Sequence, residues 1–198
     1  REGGIVAAPT TSLPEHIGGQ RNWDYRYCWL RDATFTLAAL IQCGYTEEAA
    51  AWRTWLLRAV AGRGAELHIM YGLAGERRLP EIELPWLPGY EHSQPVRIGN
   101  SAHRQFQLDV FGEVLDSLHL ARQYGLDDGF GDWRIERELI ERLEEVWREP
   151  DEGIWEVRGP RRHFTHSKLM AWVAFDRAVR DVERFGFDGP VDRWRHLR

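Results

Sequence analysis

The chain has 198 residues, of which 43% are hydrophobic and 29% are charged, and its formal net charge is −5. This composition predicts a folded globular chain, because disordered segments contain too few apolar residues to form a core. A net negative charge excludes the broad basic surface that binding to nucleic acid requires, so we expect no nucleic-acid partner.

In chain order, the first predicted helix covers residues 32–42, a largely apolar stretch. A second covers residues 46–62, with Thr46 as its cap and two glutamates near the positive end of the helix dipole. These two helices predict a hairpin. Residues 67–99 are rich in proline and glycine, which predicts a long functional loop that contains a short strand or two.

The second half of the chain predicts four more helices. The third covers residues 100–124, in which Phe106 begins an apolar stripe that recurs every four residues. Asp132 caps the fourth, and a sixth starts at Pro190. The fifth covers residues 165–185. The predicted apolar face of the fifth helix consists of Leu169, Val173, Phe175 and Val179.

Helices alternate with loops along the whole chain, and no run of alternating apolar and polar residues predicts a long strand. The predicted fold class is therefore all-α, without an internal domain boundary in residues 1–198. Successive helical hairpins build either an open solenoid or a closed toroid. The chain has no repeat of fixed period, which favours the toroid.

Membrane and compartment signals are absent from the sequence. The longest apolar stretch, residues 33–43, is shorter than the roughly 20 residues of a membrane span, so we expect no membrane partner. No signal peptide is visible, and the expected compartment is the cytoplasm. The chain lacks an initiator methionine and ends in the first turns of a helix, so we expect it to be a piece of a longer protein, with any sorting signal upstream.

Residues 21–32, "RNWDYRYCWLRD", combine four aromatic rings with three arginines and two aspartates. One interpretation is a helix cap at Asp32 with a local ion pair to Arg31. The other is a sugar-binding wall, in which aromatic faces stack on a sugar ring and the charged pair binds its hydroxyl groups. The aromatic residues favour the second interpretation, because packing cannot absorb them all at the start of a helix. They are Trp23, Tyr25, Tyr27 and Trp29.

Glu156 follows Trp155 in a glycine-flanked loop. An ordinary surface glutamate is the simple interpretation. A carboxyl group beside an indole in a partly apolar cleft would instead have a raised pKa, and would hold a proton for a leaving group near neutral pH. His163 and His166 lie three residues apart, but no third ligand is apparent, so we expect no metal site and no cofactor.

Several separated segments together resemble bacterial members of glycoside hydrolase family 15, the glucoamylase-like α-glucosidases. In order they are "GGQRNWDYRYCWLRDATFTLAAL", "MYG", "LPWLPGYEHSQPVRIGN", "QLDVFGEVLDSL" and "DEGIWEVRG" with "HSKLMAWVAFDRA". The resemblance covers nearly the whole chain. It implies an (α/α)6 toroid, of which these five to six helices form about half, and hydrolysis of terminal α-glucosidic bonds with inversion.

The resemblance also implies roles for individual residues. Trp29, Arg31 and Asp32 would hold the non-reducing glucose of an α-glucoside or oligosaccharide substrate, Trp155 would line the site, and Glu156 would be the general acid. A rim loop of the pocket would carry Trp86, Tyr90, Arg97 and Asn100.

The general base of the family lies in a later part of the toroid that this sequence does not contain. We therefore expect the 198 residues alone to be inactive, and to self-associate or pair with the missing remainder through exposed inner helix faces. Trehalase of the same family is an alternative to glucoamylase. An alternative of another class is a non-catalytic helical module that binds carbohydrate or protein.

Overall fold

A computed structural model describes residues 3–61, 67–126 and 133–198. These residues contain six α-helices, which confirms the all-α prediction, while the closure of helices into a toroid stays a prediction. No helix among them is both long and apolar enough to cross a lipid bilayer. The helices are α1 (Leu30–Gln42), α2 (Thr46–Val60), α3 (Asp109–Gln123), α4 (Trp133–Val146), α5 (Thr165–Phe185) and α6 (Val191–Leu197). The predicted end of α2 at Gly62 and the predicted cap at Asp132 lie outside the described residues.

Helix α3 is the centre of the packing. It contacts α1, α2, α4 and α5, most extensively α5, and its side chains are buried along nearly its whole length. Gly112 allows this close approach, because a Cβ atom there would lie 2.2 Å from the backbone oxygen of Met170 in α5. Small side chains on α5 face the same contact. The packing therefore fixes the relative positions of α3 and α5.

The start of the third helix was predicted nine residues too early. Residues Ser101–Arg104 form a 3-10 turn, which Asn100 caps by accepting a hydrogen bond from the Ala102 amide at 3.0 Å. The α-helix begins only at Asp109. Phe106 extended the four-residue stripe by coincidence: its amide donates to a Glu152 carboxylate at 2.8 Å instead of joining a helix.

The predicted apolar face of α5 was wrong at Leu169, which is 53% exposed. The face that packs against the core is made of smaller residues, because these permit the close contact with α3. Leu169 lies about 200° around the helix from Ala171, so it points away from that contact. The buried apolar residues of α5 are Ala171, Ala174, Phe175, Ala178 and Val179.

Three small two-stranded antiparallel sheets accompany the helices. The loop of residues 67–99 contains three strands rather than one or two, and the strands before residue 30 were not predicted. The strand Cys28–Trp29 pairs with Met70–Tyr71, and the Leu30 amide donates to the Ile69 carbonyl at 3.0 Å, which fixes where α1 begins. The strands are β1 (Thr11–Pro14), β2 (Asn22–Asp24), β3 (Cys28–Trp29), β4 (Met70–Tyr71), β5 (Ile82–Glu83) and β6 (Arg97–Ile98).

Candidate active site

A cleft of about 610 Å³ opens where the N-terminal hairpin, the start of α1 and the loop before α5 meet. It brings together residues that are more than 120 positions apart in the sequence. Six of the nine predicted site residues line it, and a further wall comes from the β1–β2 hairpin. The six are Trp29, Arg31, Asp32, Asn100, Trp155 and Glu156.

Arg31 and Asp32 occupy the first turn of α1. The helix begins at Leu30, so Asp32 is its third residue and the interpretation of Asp32 as a helix cap is wrong. The ion pairs of Arg31 are with Asp109 and Glu156 instead of with Asp32. Its Nη1 atom lies 3.3 Å from Oδ2 of Asp109, and its Nη2 atom lies 3.6 Å from Oε1 of Glu156.

The loop that carries Glu156 is closed at its base. The amide of Asp151 donates to the Arg162 carbonyl at 2.9 Å, and the reverse bond has the same length. Within the loop, the Glu156 amide donates to the Gly153 carbonyl at 3.0 Å. Glu156 has φ of 51°, in the left-handed region that non-glycine residues rarely adopt. Such backbone strain is typical of residues whose side chain must point in one direction for function.

The Glu156 side chain is 24% exposed at the cleft. The indole Nε1 of Trp29 donates a hydrogen bond to its Oε1 at 2.7 Å. Burial raises the pKa of Glu156 above the usual range of glutamate, although the Trp29 hydrogen bond and the Arg31 charge both act to lower this pKa. A raised pKa is one property that a general acid requires, and the Trp29 bond holds one oxygen of this carboxyl in place.

The indole that touches the acid is thus not the predicted one. Trp155, adjacent in sequence, is 83% exposed and lines the open side of the cleft. Trp29 instead reaches Glu156 from the strand that leads into α1. Because its N–H favours the charged carboxylate, the raised pKa of Glu156 results from burial and not from an indole contact.

Three of the four aromatic residues of the opening segment line the cleft, namely Trp23, Tyr25 and Trp29. The rings of Tyr25 and Trp29 lie 6.0 Å apart. Two guanidinium groups lie over the Trp23 ring, that of Arg97 at 4.8 Å and that of Arg158 at 4.3 Å. Trp23 is therefore engaged in cation–π contacts and Trp29 is buried, so Tyr25, which is 36% exposed, offers the better surface for a sugar ring.

The predicted rim residues divide into two groups. Trp86 and Tyr90 are 72% and 56% exposed and lie outside the residues that line the cleft. Arg97 is buried, and it ties the rim to the hairpin by donating to the Gln20 carbonyl at 2.8 Å and to Glu83 at 3.0 Å. Asn100 lines the cleft, but its side chain also caps the following turn. Their roles in sugar binding stay predictions.

Sequence reasoning missed the polar residues behind Arg31. Gln107, Asp109 and Glu113 are buried on or just before the first turns of α3. Burial raises the pKa of Asp109 and raises that of Glu113 to about 8. A usable signal was present, since Asp109 and Glu113 are four residues apart on the face of α3 that also carries buried valines.

The histidines do not assemble a metal centre. Within residues 3–61, 67–126 and 133–198, no group of three or more His, Cys, Asp or Glu side chains is arranged to hold a metal ion. His166 lies beside Asp109, with 4.0 Å between Nδ1 and Oδ2. His163 is exposed in the loop before α5.

Comparison with known proteins gives a consistent family assignment. The model of glycosyl hydrolases family 15 matches residues 1–198. A trehalase of Mycobacterium tuberculosis is 45% identical, over 98% of this chain and 29% of the relative. A trehalase of Thermoplasma acidophilum is 37% identical, over 99% of this chain and 33% of the relative. The chain thus spans about a third of the length of these relatives. No solved structure gives a significant match.

Proposed function

This chain belongs to glycosyl hydrolases family 15, and we propose that it forms part of a catalytic unit that hydrolyses terminal α-glucosidic bonds with inversion. The observation that carries the proposal is the Glu156 carboxyl, partly buried in a cleft, hydrogen-bonded by Trp29 and 3.6 Å from Arg31. Residues 1–198 contribute to that unit as one continuous segment.

In this proposal each cleft residue has a separate task. Glu156 donates its proton to the glycosidic oxygen as the bond breaks, so that the leaving sugar departs as an alcohol. Arg31 and Asp32 bind hydroxyl groups of the terminal glucose, with the guanidinium as donor and the carboxylate as acceptor. Trp29 keeps the carboxyl in one orientation, which holds the proton near its target.

Inverting hydrolysis also requires a base that activates water on the opposite face of the sugar, with its carboxyl group about 6.5–9.5 Å from the acid. The family resemblance implies that a residue outside this chain supplies it. That part of the protein would also complete the toroid and cover apolar side chains that are now exposed. Examples are Phe35 on α1 and Trp172 on α5. In its absence, self-association would cover the same faces.

The relatives named trehalase favour trehalose as the substrate over maltooligosaccharides. Glucoamylase-type hydrolysis is the second candidate, because both reactions release a terminal α-linked glucose from the same kind of pocket. Turnover of trehalose, maltooligosaccharides and isomaltose by the full-length protein separates the two.

The test of the hydrolase proposal is the substitution Glu156→Gln in the full-length protein. Glutamine keeps the size and the contact with Trp29 but cannot donate an acidic proton, so we expect the hydrolysis rate to fall by a factor of about 10²–10⁴. Glu149→Gln is the matched control, since Glu149 is an exposed glutamate before the same loop. A full-length protein that binds sugar equally well with either residue and never hydrolyses it would be a binding module.

A further inference from the structure

Arg31 contacts two carboxyl groups through its two terminal guanidinium nitrogens. Its Nη1 atom lies 3.3 Å from Oδ2 of Asp109 and 3.4 Å from Oε1 of Gln107. Its Nη2 atom lies 3.6 Å from Oε1 of Glu156. The side chain of Arg31 is 14% exposed, so water screens these interactions less than it would at the surface. The single positive charge is therefore shared between the acid and a buried partner.

Asp109 depends on this contact. It is completely buried, and no hydrogen-bond partner within the described parts of the chain reaches its second carboxylate oxygen, Oδ1. A buried carboxylate without a cation is unstable, so the ionised form of Asp109 depends on the positive charge of Arg31. Gln107 adds a neutral acceptor to the same guanidinium nitrogen.

A hydrogen bond joins the loop that carries Glu156 to the residue before Asp109. The side chain of Asp151, which opens the loop of Glu156, accepts a hydrogen bond from the Leu108 amide at 2.9 Å. Leu108 directly precedes Asp109 at the start of α3. This bond therefore ties the loop of Glu156 to the start of α3, so the two carboxylates that Arg31 contacts are linked through the backbone.

We propose that Asp109 is a positioning residue, which holds the Arg31 guanidinium in place and draws part of its charge away from Glu156. The proposal rests on the assignment of Glu156 as the general acid. An undivided positive charge at this distance would favour the ionised acid, which has no proton to give. Asp109 thereby keeps the acid protonated under conditions in which Arg31 alone would ionise it.

Other titratable groups also lie close to Asp109 and Glu156. Asp32 comes from α1, Glu113 from α3 itself, His166 from α5 and Asp151 from the loop before α5. They remain in place when Asp109 is changed. A change at Asp109 that keeps its shape therefore tests its own charge.

The first experiment is Asp109→Asn in the full-length protein, with kcat/KM measured against pH. Asparagine can still accept a hydrogen bond from Arg31, but it leaves the whole positive charge to Glu156. The basic limb of the profile should move about one unit to lower pH, because that limb reports the loss of the proton from the acid. Asp116→Asn is the matched control, on the same helix but paired with Arg177, and should leave the limb in place.

A second variant makes the opposite change. Gln107→Glu adds a negative charge beside the same guanidinium nitrogen, and the basic limb should move to higher pH. If circular dichroism shows that Asp109→Asn fails to fold, the shift of the basic limb in Gln107→Glu alone tests the proposal. A uniform loss of kcat in Asp109→Asn with an unmoved basic limb, or the absence of an upward shift in Gln107→Glu, would overturn the proposal. Failure of the Glu156 assignment is a distinct result, in which Glu156→Gln retains full hydrolytic activity.

Discussion

Two clusters of ionisable side chains contact α3, one near each end, and they differ in how their carboxyl groups are paired. The cleft cluster, near the N-terminal end, consists of Arg31, Asp109, Glu113 and Glu156. The helix-interface cluster, near the C-terminal end, consists of His119, Arg122, Glu136 and Asp181. In the first, carboxyl groups outnumber the arginine that faces them. In the second, each carboxylate has a nitrogen donor of its own.

This difference fits a structural role for the helix-interface cluster and the chemical role proposed above for the cleft cluster. In the helix-interface cluster, Arg122 bonds both Asp181 and Glu136, and thereby joins α3 to α4 and α5. In the cleft cluster, burial raises the pKa of Asp109, Glu113 and Glu156. Carboxylates that accept from nitrogen donors join helices, whereas Glu113 and Glu156, whose pKa values burial raises, lose their protons only at higher pH than an ordinary carboxyl group.

We expect the largest change in folding stability from a substitution in the helix-interface cluster. Asp181→Asn removes a charge from a buried, paired carboxylate and leaves Arg122 with one carboxylate from this cluster. We expect the free energy of unfolding to fall by about 3–5 kcal/mol, measured by chemical denaturation of the full-length protein.

Asp188→Asn is the control for that experiment, because Asp188 makes an exposed pair with Arg137 and should contribute less than about 1 kcal/mol. The pH profile of folded Asp181→Asn should match that of the unaltered protein. A shift in the basic limb would show that the helix-interface cluster also influences the acid.

The next effect concerns Glu113, whose pKa of about 8 in the folded protein compares with an ordinary value of 4.5. The folded protein binds a proton that the unfolded chain has lost, so the free energy of unfolding should decrease as pH rises from about 4.5 to about 8. Glu113→Gln removes this term. Between about pH 5 and pH 9 it should lose about 2–4 kcal/mol less stability than the unaltered protein.

Denaturation curves at the two pH values measure the effect of Glu113→Gln. Glu141→Gln, at an exposed position on α4, is the control and should follow the unaltered protein. Parallel pH dependence in the Glu113 variant and the unaltered protein would mean that Glu113 is ionised in the folded state.

The smallest expected effect comes from the hydrogen bond between Trp29 and Glu156. Trp29→Phe removes an N–H that favours the charged carboxylate, so the pKa of Glu156 should rise and the basic limb of kcat/KM should move up by as much as about one unit. The less firmly oriented carboxyl should also lower kcat about tenfold.

Trp55→Phe is a close control for Trp29→Phe. Trp55 is equally buried, and its indole donates to the Leu73 carbonyl at 2.7 Å instead of to a carboxyl group. This variant should lose stability without a shift in the pH profile. Movement of the Trp29→Phe limb to lower pH would contradict the contact as the structure shows it.

The sequence predicted the helices better than the segments between them. Helix α5 begins at Thr165, as predicted, but the prediction of Thr46 as a cap is wrong, because Thr46 is the first residue of α2 and Tyr45 occupies the cap position without a side-chain cap bond. The strands β1 to β6 contain two to four residues, too few to show an alternating pattern, and β3 pairs with β4 across the two helices that separate them in the chain. Local periodicity also extended the third helix through residues 100–108, where contacts with the loop before α5 determine the backbone.

The candidate site shows the same division. The resemblance placed Trp29, Arg31, Asp32 and Glu156 together, and the structure brings all four to one cleft. It could not show which indole meets the acid, because adjacency in sequence suggested Trp155 and a tertiary contact supplies Trp29. Asp109 escaped notice since its role depends on a contact between helices.

The loop of Glu156 is fastened at its base, by the paired amides of Asp151 and Arg162 and by the Asp151 bond to Leu108. Residues 157–161, which form the outer turn between Glu156 and Arg162, are exposed. Under the proposed function, changes in the length and chemistry of that outer turn should alter which leaving sugars fit, while the bonds at the base of the loop keep Glu156 in place.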